Sequence, residues 1–143
     1  ILANVSTSLE LLMLIWEIGD PVLVLVQGQP AVDIASGFIA KAPTAASGII
    51  VCDSEISPSQ ADQMHDILIL ILRGRQGKTL SHPAAVKMHE LLKNSTLIEP
   101  ENCGDFPAKD NPNAAAAAIN MFLAGASGSF DEGSEADPID PKA

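Results

Sequence analysis

Ser57 to Asn94 constrains this chain more than any other stretch. Two segments within it match at an offset of 24 positions. Ser57, Ala61, Met64, His65, Asp66, Ile67 and Leu68 align with Ser81, Ala85, Met88, His89, Glu90, Leu91 and Leu92. Between them runs a basic connector, Arg73-Gly74-Arg75-Gln76-Gly77-Lys78-Thr79. Ser57-Pro58 opens the first segment as cap and first helical position. Ala61, Met64, Leu68, Ile71 and Leu72 then share one face. The six apolar residues Ile67–Leu72 also suit a strand, but the parallel with the second segment favours a helix. The second segment, at about 83–94, is amphipathic, with Lys87, Glu90 and Lys93 on its wet side. The expectation is a helical hairpin with a positively charged elbow.

Around the hairpin, the chain carries the marks of a parallel strand–helix–strand unit. Val22–Gln27 is a β-branched apolar run between Pro21 and Gly28, and reads as a buried strand. Pro30 suits the first turn of a helix. Ala31, Ile34, Ala35, Phe38 and Ile39 recur at helical spacing until Pro43. Gly48–Cys52 is a second apolar run. Upstream, Thr7-Ser8-Leu9-Glu10 fits a capping box, and an apolar helix follows at about 8–18, closed by Gly19. Downstream, Thr96–Glu99 suits a short third strand and residues 100–113 read as loop. Asn113 caps a helix over 114–124. The expected fold is α/β, a small βαβ-containing domain with a helical hairpin; a mostly α fold is the competing arrangement. Residues 1–126 form one domain on this reading, and 127–143 form an acidic Gly/Ser/Pro-rich tail.

Charge narrows the partners. The net charge is −10, which disfavours nucleic acid and anionic membrane. It is unevenly spread: Arg73 to Lys93 is locally +4 and Asp131 to Ala143 locally −4. Leu9–Val26 is interrupted by Glu10, Glu17, Asp20 and Pro21, so no transmembrane span is expected. The printed chain opens on Ile1, as a processed or trimmed product would, with no signal-peptide pattern. Aromatic residues make up only 3% of the chain, which disfavours sugar, stacked-base and peptide ligands.

Motifs carrying chemistry are few. Gly77-Lys78-Thr79 evokes a phosphate-binding loop, but the glycine that pattern requires five positions earlier is Leu72. The elbow cations Arg73, Arg75 and Lys78 are therefore candidates for an anion or partner contact. Cys52-Asp53-Ser54-Glu55 follows a strand, where open α/β sheets collect ligands. There Cys52 is a candidate nucleophile, and Asp53 and Glu55 candidate cation holders. His65, His82 and His89 show no metal spacing, and neither metal nor cofactor is expected. Cys52 and Cys103 are expected to be reduced. No Gly-x-Ser-x-Gly elbow occurs.

The apolar helices exceed what two or three short strands can cover. The leading functional expectation is thus a non-catalytic structural or accessory subunit, contacting protein partners in a homo- or hetero-oligomer. The alternative is a small α/β enzyme or ligand-binding domain with its site near Cys52, Asp53 and Glu55.

Overall fold

The computed structural model describes residues 11, 13–15, 18–19, 22–64 and 66–126. The Thr7–Glu10 cap, Trp16, His65 and the 127–143 tail lie outside the described residues. Four strands form one parallel sheet in the order β1-β2-β3-β4. They are β1 (Val22–Gln27), β2 (Ala46–Cys52), β3 (Ile69–Leu72) and β4 (Ser95–Ile98). The crossovers carry α1 (Gln29–Lys41), α2 (Pro58–Gln63) and α3 (His82–Leu91). A short α4 (Pro107–Asp110) and a long α5 (Pro112–Ala126) follow the last strand. The α/β class and the βαβ unit expected from sequence are present.

Strand side chains alternate between two cores, as the pleat requires. Ile49, Val51, Ile69, Ile71 and Leu97 face α1–α3, packing on Phe38, Ile39, Met64 and Met88. Ile50, Cys52, Leu70, Leu72 and Ile98 face α5, packing on Ala115, Ala118, Met121 and Phe122. Three successive crossovers thus cover one face and the last helix covers the other. A parallel sheet buried on both sides needs continuous apolar runs, and β2 and β3 supply them.

The helical hairpin does not form. Its first arm ends at Gln63, and Ile69–Leu72 is a central strand. All four residues of that strand are buried, odd positions against one helical layer and even ones against the other. Two-sided burial explains why the run shows no helical periodicity. The repeat is nevertheless physical. Ser57 and Ser81 both cap a crossover helix, accepting from the Gln60 and Ala84 amides. Ala61 and Ala85, like Met64 and Met88, are buried in the same core. What repeats is the crossover helix docking on one sheet face. Leu70→Ala should cost roughly 2–5 kcal/mol, because no solvent-facing side exists to absorb the cavity; a urea midpoint measurement checks this.

The N-terminal helical segment ends at Gly19, whose amide donates to the Ile15 carbonyl and whose φ is 85°. A cavity of about 480 Å3 lies between this segment and the outer strand. Its lining is apolar, including Leu11, Ile15, Val22, Val24 and Ile34. Among the described residues, no helix is long and apolar enough to cross a membrane.

Candidate functional site

Because all four strands run the same way, their carboxyl ends share one edge. Gln27-Gly28, Cys52-Asp53, Leu72-Arg73 and Ile98-Glu99 meet there. The chemistry of the chain concentrates on this edge, away from the large apolar cavity. We place the candidate site here, because a cavity lined by apolar side chains offers no titratable group to move a proton.

Asp53 is its centre. It ends β2 with a φ of 45°, a left-handed conformation that Asp tolerates better than most residues. Its side chain is 1% exposed, and neither carboxylate oxygen has a hydrogen-bond partner. Burial is the main cause that raises its pKa from 3.8 to about 7. The Asp105 charge raises it next; the Gly74 amide, which approaches the carboxylate without completing a hydrogen bond, and the Arg73 charge pull it partly back. Asp110 adds a smaller upward push.

Asp105 behaves oppositely. Its Oδ1 accepts the Lys78 and Thr79 amides at 2.8 and 2.9 Å. These bonds, the Thr79 amide first, lower its pKa below the ordinary carboxylate value. In the elbow, the backbone amides of Lys78 and Thr79 thus hold a carboxylate of the chain itself, Asp105. Gln27 anchors the same residue by donating to the Asp105 carbonyl at 2.9 Å. The two carboxylates converge on Gly77. A methyl group there would meet Asp105 Oδ1 at 2.8 Å, the Gly74 carbonyl at 3.0 Å and Asp53 Oδ1 at 3.1 Å. Gly77→Ala should therefore push the pair apart and cost about 1–3 kcal/mol, read as a lowered urea midpoint.

The neighbouring groups hold the edge in place. Gly28, with φ 94°, carries the chain from β1 into α1, and its amide donates to Ser54 Oγ at 2.8 Å. Ser54 donates in turn to the Cys52 carbonyl at 2.9 Å. Cys52 and Cys103 are both buried free thiols. Burial, with the nearby Asp53 and Cys103, pushes the Cys52 thiol up to about 12. It is thus a neutral packing residue at ordinary pH rather than a thiolate. Glu55 is exposed, and its backbone is tied to the Gln29 side chain. Of the three residues expected near one another, Asp53 alone faces inward as an unpartnered acid.

Two of the three elbow cations, Arg73 and Arg75, are engaged internally. Arg73 donates to Glu99 Oε2 at 2.7 Å and to the Leu80 carbonyl at 2.7 Å. Arg75 donates to the Glu99 carbonyl at 2.9 Å and reaches Glu101 at 3.3 Å. Lys78 contributes its backbone amide to Asp105. The structure brings Asp53 together with Asp105, which the sequence reading left in a loop. The one short-range signal for Asp105 was Gly104 before it and Pro107 after it, the pattern of a tight turn beyond a strand end. Among the described residues, no group of three His, Cys, Asp or Glu side chains is placed to hold a metal ion.

No family model matches the sequence, and no curated protein matches it. Solved structures do match in fold. A bacterial membrane phospholipase A, described as a virulence factor, aligns with TM-score 0.66 and 14% identity. The alignment covers 84% of this chain and 62% of that one. An N-formylmaleamic acid deformylase from Pseudomonas putida S16 aligns with TM-score 0.67 and 11% identity, covering 81% and 74%. A serine hydrolase from Cycloclasticus zankles aligns with TM-score 0.68 and 8% identity, covering 87% and 71%. The chain thus spans under two thirds of the phospholipase and about three quarters of the deformylase. At these identities the likeness is one of fold, and that fold is the α/β-hydrolase fold. The expectation of a non-catalytic assembly subunit is overturned, because the structural neighbours are enzymes. Its physical premise also fails in part: the apolar run Ile69–Leu72 is enclosed by the chain's own helices.

Proposed function

We propose that this chain is an enzyme domain of α/β-hydrolase fold that works by carboxyl acid–base chemistry at the carboxyl edge of its sheet. Asp53 and Asp105 form the working pair. The observation that carries this reading is Asp53: buried, with both oxygens unpartnered, facing a second carboxylate across Gly77. Two acids whose surroundings push their pKa values in opposite directions divide the roles of proton holder and ionised partner. Asp53 holds the proton near neutral pH. Asp105, less buried and ionised, faces the ligand and accepts a proton from attacking water or from a bound hydroxyl. The proton is then shared with Asp53 behind it, since two close carboxylates resist ionising together.

The substrate class that fits is an acyl compound cleaved by water, as the enzyme names of the structural neighbours suggest. The attack does not use a serine at the strand-to-helix turn after β1, a position that holds a serine nucleophile in hydrolases of this fold. Here that turn reads Gln27-Gly28-Gln29, and Gly28 offers no side chain. Water is the nucleophile on this reading. A panel of small esters and amides at neutral pH tests it. Turnover that survives in both Asp53→Asn and Asp105→Asn would sink the proposal; a loss of about 100-fold or more in each supports it.

A further inference from the structure

The sheet has two outer strands, and their sequences differ in kind. β4 is short, begins with Ser95 and Thr96, and runs into Glu99-Pro100. Polar residues, charge and proline are how native edges avoid unwanted pairing. From Val22 to Val26, β1 has none of these. It carries the unbroken apolar run of an interior parallel strand. Yet it pairs with β2 on one side, and among the described residues no strand pairs with its other side.

The cavity of about 480 Å3 lies along that open side. Val22, Val24 and Val26 pack in the core of one sheet face, and Leu23 packs against that of the other. All four line the cavity together with Leu25, so it runs beside the strand rather than over either face. The Val22 amide donates to the Ala45 carbonyl, which turns the Val22 backbone toward β2. Alternation then turns the amides and carbonyls of Leu23 and Leu25 into the cavity. The facing wall is aliphatic, with Leu11, Leu14, Ile18 and Ile34, and no charged side chain lines the slot. Leu25 is 47% exposed and Ile18 38%.

These walls select among occupants. A hydrocarbon would cover the free backbone groups without bonding them, at a cost of roughly 1–3 kcal/mol each. A charged ligand would find no counter-charge. An extended peptide meets both demands. The complement of a row of alternating N–H and C=O partial charges is the edge of another strand, and its alternate side chains reach the aliphatic wall. Val22 to Val26 spans about 13 Å, room for roughly five residues of such a segment. We infer that the slot along β1 is a strand-docking site, which adds an extended, uncharged, aliphatic segment of a partner polypeptide to the sheet.

The test uses the full labelled chain and a synthetic peptide, Lys-Val-Thr-Val-Thr-Val-Lys, blocked at both ends. Hydrogen exchange followed by NMR should show the Leu23 and Leu25 amides slowed about 10-fold or more by the peptide. The Val24 amide, which faces β2, should change little. Methylating alternate peptide amides separates pairing from apolar contact: one alternate set should weaken binding about 10-fold or more, and the other should not. Leu25→Lys, at an exposed side chain, should weaken binding likewise while keeping the urea midpoint of the unmodified chain. Leu23 and Leu25 exchange unchanged by the peptide, or equal affinity of the two methylated sets, overturns the inference. If Leu25→Lys does not fold, the exchange and the methylated peptides decide it. Neither Asp53 nor Asp105 lines the slot and no readout is turnover, so this inference and the acid-pair proposal stand or fall separately.

Discussion

Asp53→Asn should make the folded chain more stable at pH 8, by an amount on the order of 4 kcal/mol, while leaving it unchanged below about pH 4. The sign follows from the direction of the shift. The folded pKa is raised, from 3.8 to about 7, chiefly by burial. Between those values the folded chain holds a proton that the unfolded chain has released. Stability contributed by that proton is complete below about 3.8, declines as pH rises, and is gone once pH passes about 7. Above that, the fold carries a buried anion with no hydrogen bond and a second carboxylate nearby. Asn keeps the shape of the protonated acid and cannot ionise. Urea unfolding of both forms from pH 4 to pH 8 isolates this residue, because all other titrating groups are common to the pair. A constant difference across that range would show that Asp53 titrates normally. On the proposed acid-pair chemistry the same substitution should lower turnover by about 100-fold or more, so stability gained and activity lost would come from one carboxyl group. Asp105→Asn should move the Asp53 titration downward, since it removes the second-largest cause of the shift.

How much of this could be read in the sequence follows from where the deciding contacts lie. The first strand, α1 and the second strand were legible because Pro21, Gly28, Pro30 and Pro43 mark their boundaries locally. Ile67–Leu72 was not. A short apolar run buried on both faces has no periodicity to report, and its alignment with Leu91 and Leu92 favoured the wrong element. Length was the better guide: six residues suit a strand. Asp53 was legible as an acid at a strand end. Asp105 was not, because its partners Gln27, Lys78 and Thr79 lie 78, 27 and 26 positions away. Nor could the sequence say that the elbow amides already hold a carboxylate of the same chain. Arg73 looked like a free cation for the same reason, since Glu99 is 26 positions distant.

Arg73→Met should destabilise the chain by roughly 3–5 kcal/mol, the loss expected when one partner of a buried ion pair is removed. The attraction of the pair is not itself the source of that figure. Taking two charges out of water costs about as much as their contact returns, so a well-packed apolar pair in their place could be neutral. What Met leaves behind is Glu99, with 2% of its side chain exposed and its guanidinium gone. The Leu80 carbonyl also loses the Arg73 Nε donor, opening the loop between β3 and α3. One group remains to meet the orphaned carboxylate: His82, at 2.8 Å. Arg73→Lys keeps a charge but lacks the planar fork whose separate nitrogens reach Glu99 and the Leu80 carbonyl together, so it should recover only part of the loss. Equilibrium unfolding of both variants beside the unmodified chain measures this. If Arg73→Met unfolds at the same denaturant concentration as the unmodified chain, Glu99 is better hydrated than its burial implies, and the network does not hold the sheet edge that carries Asp53.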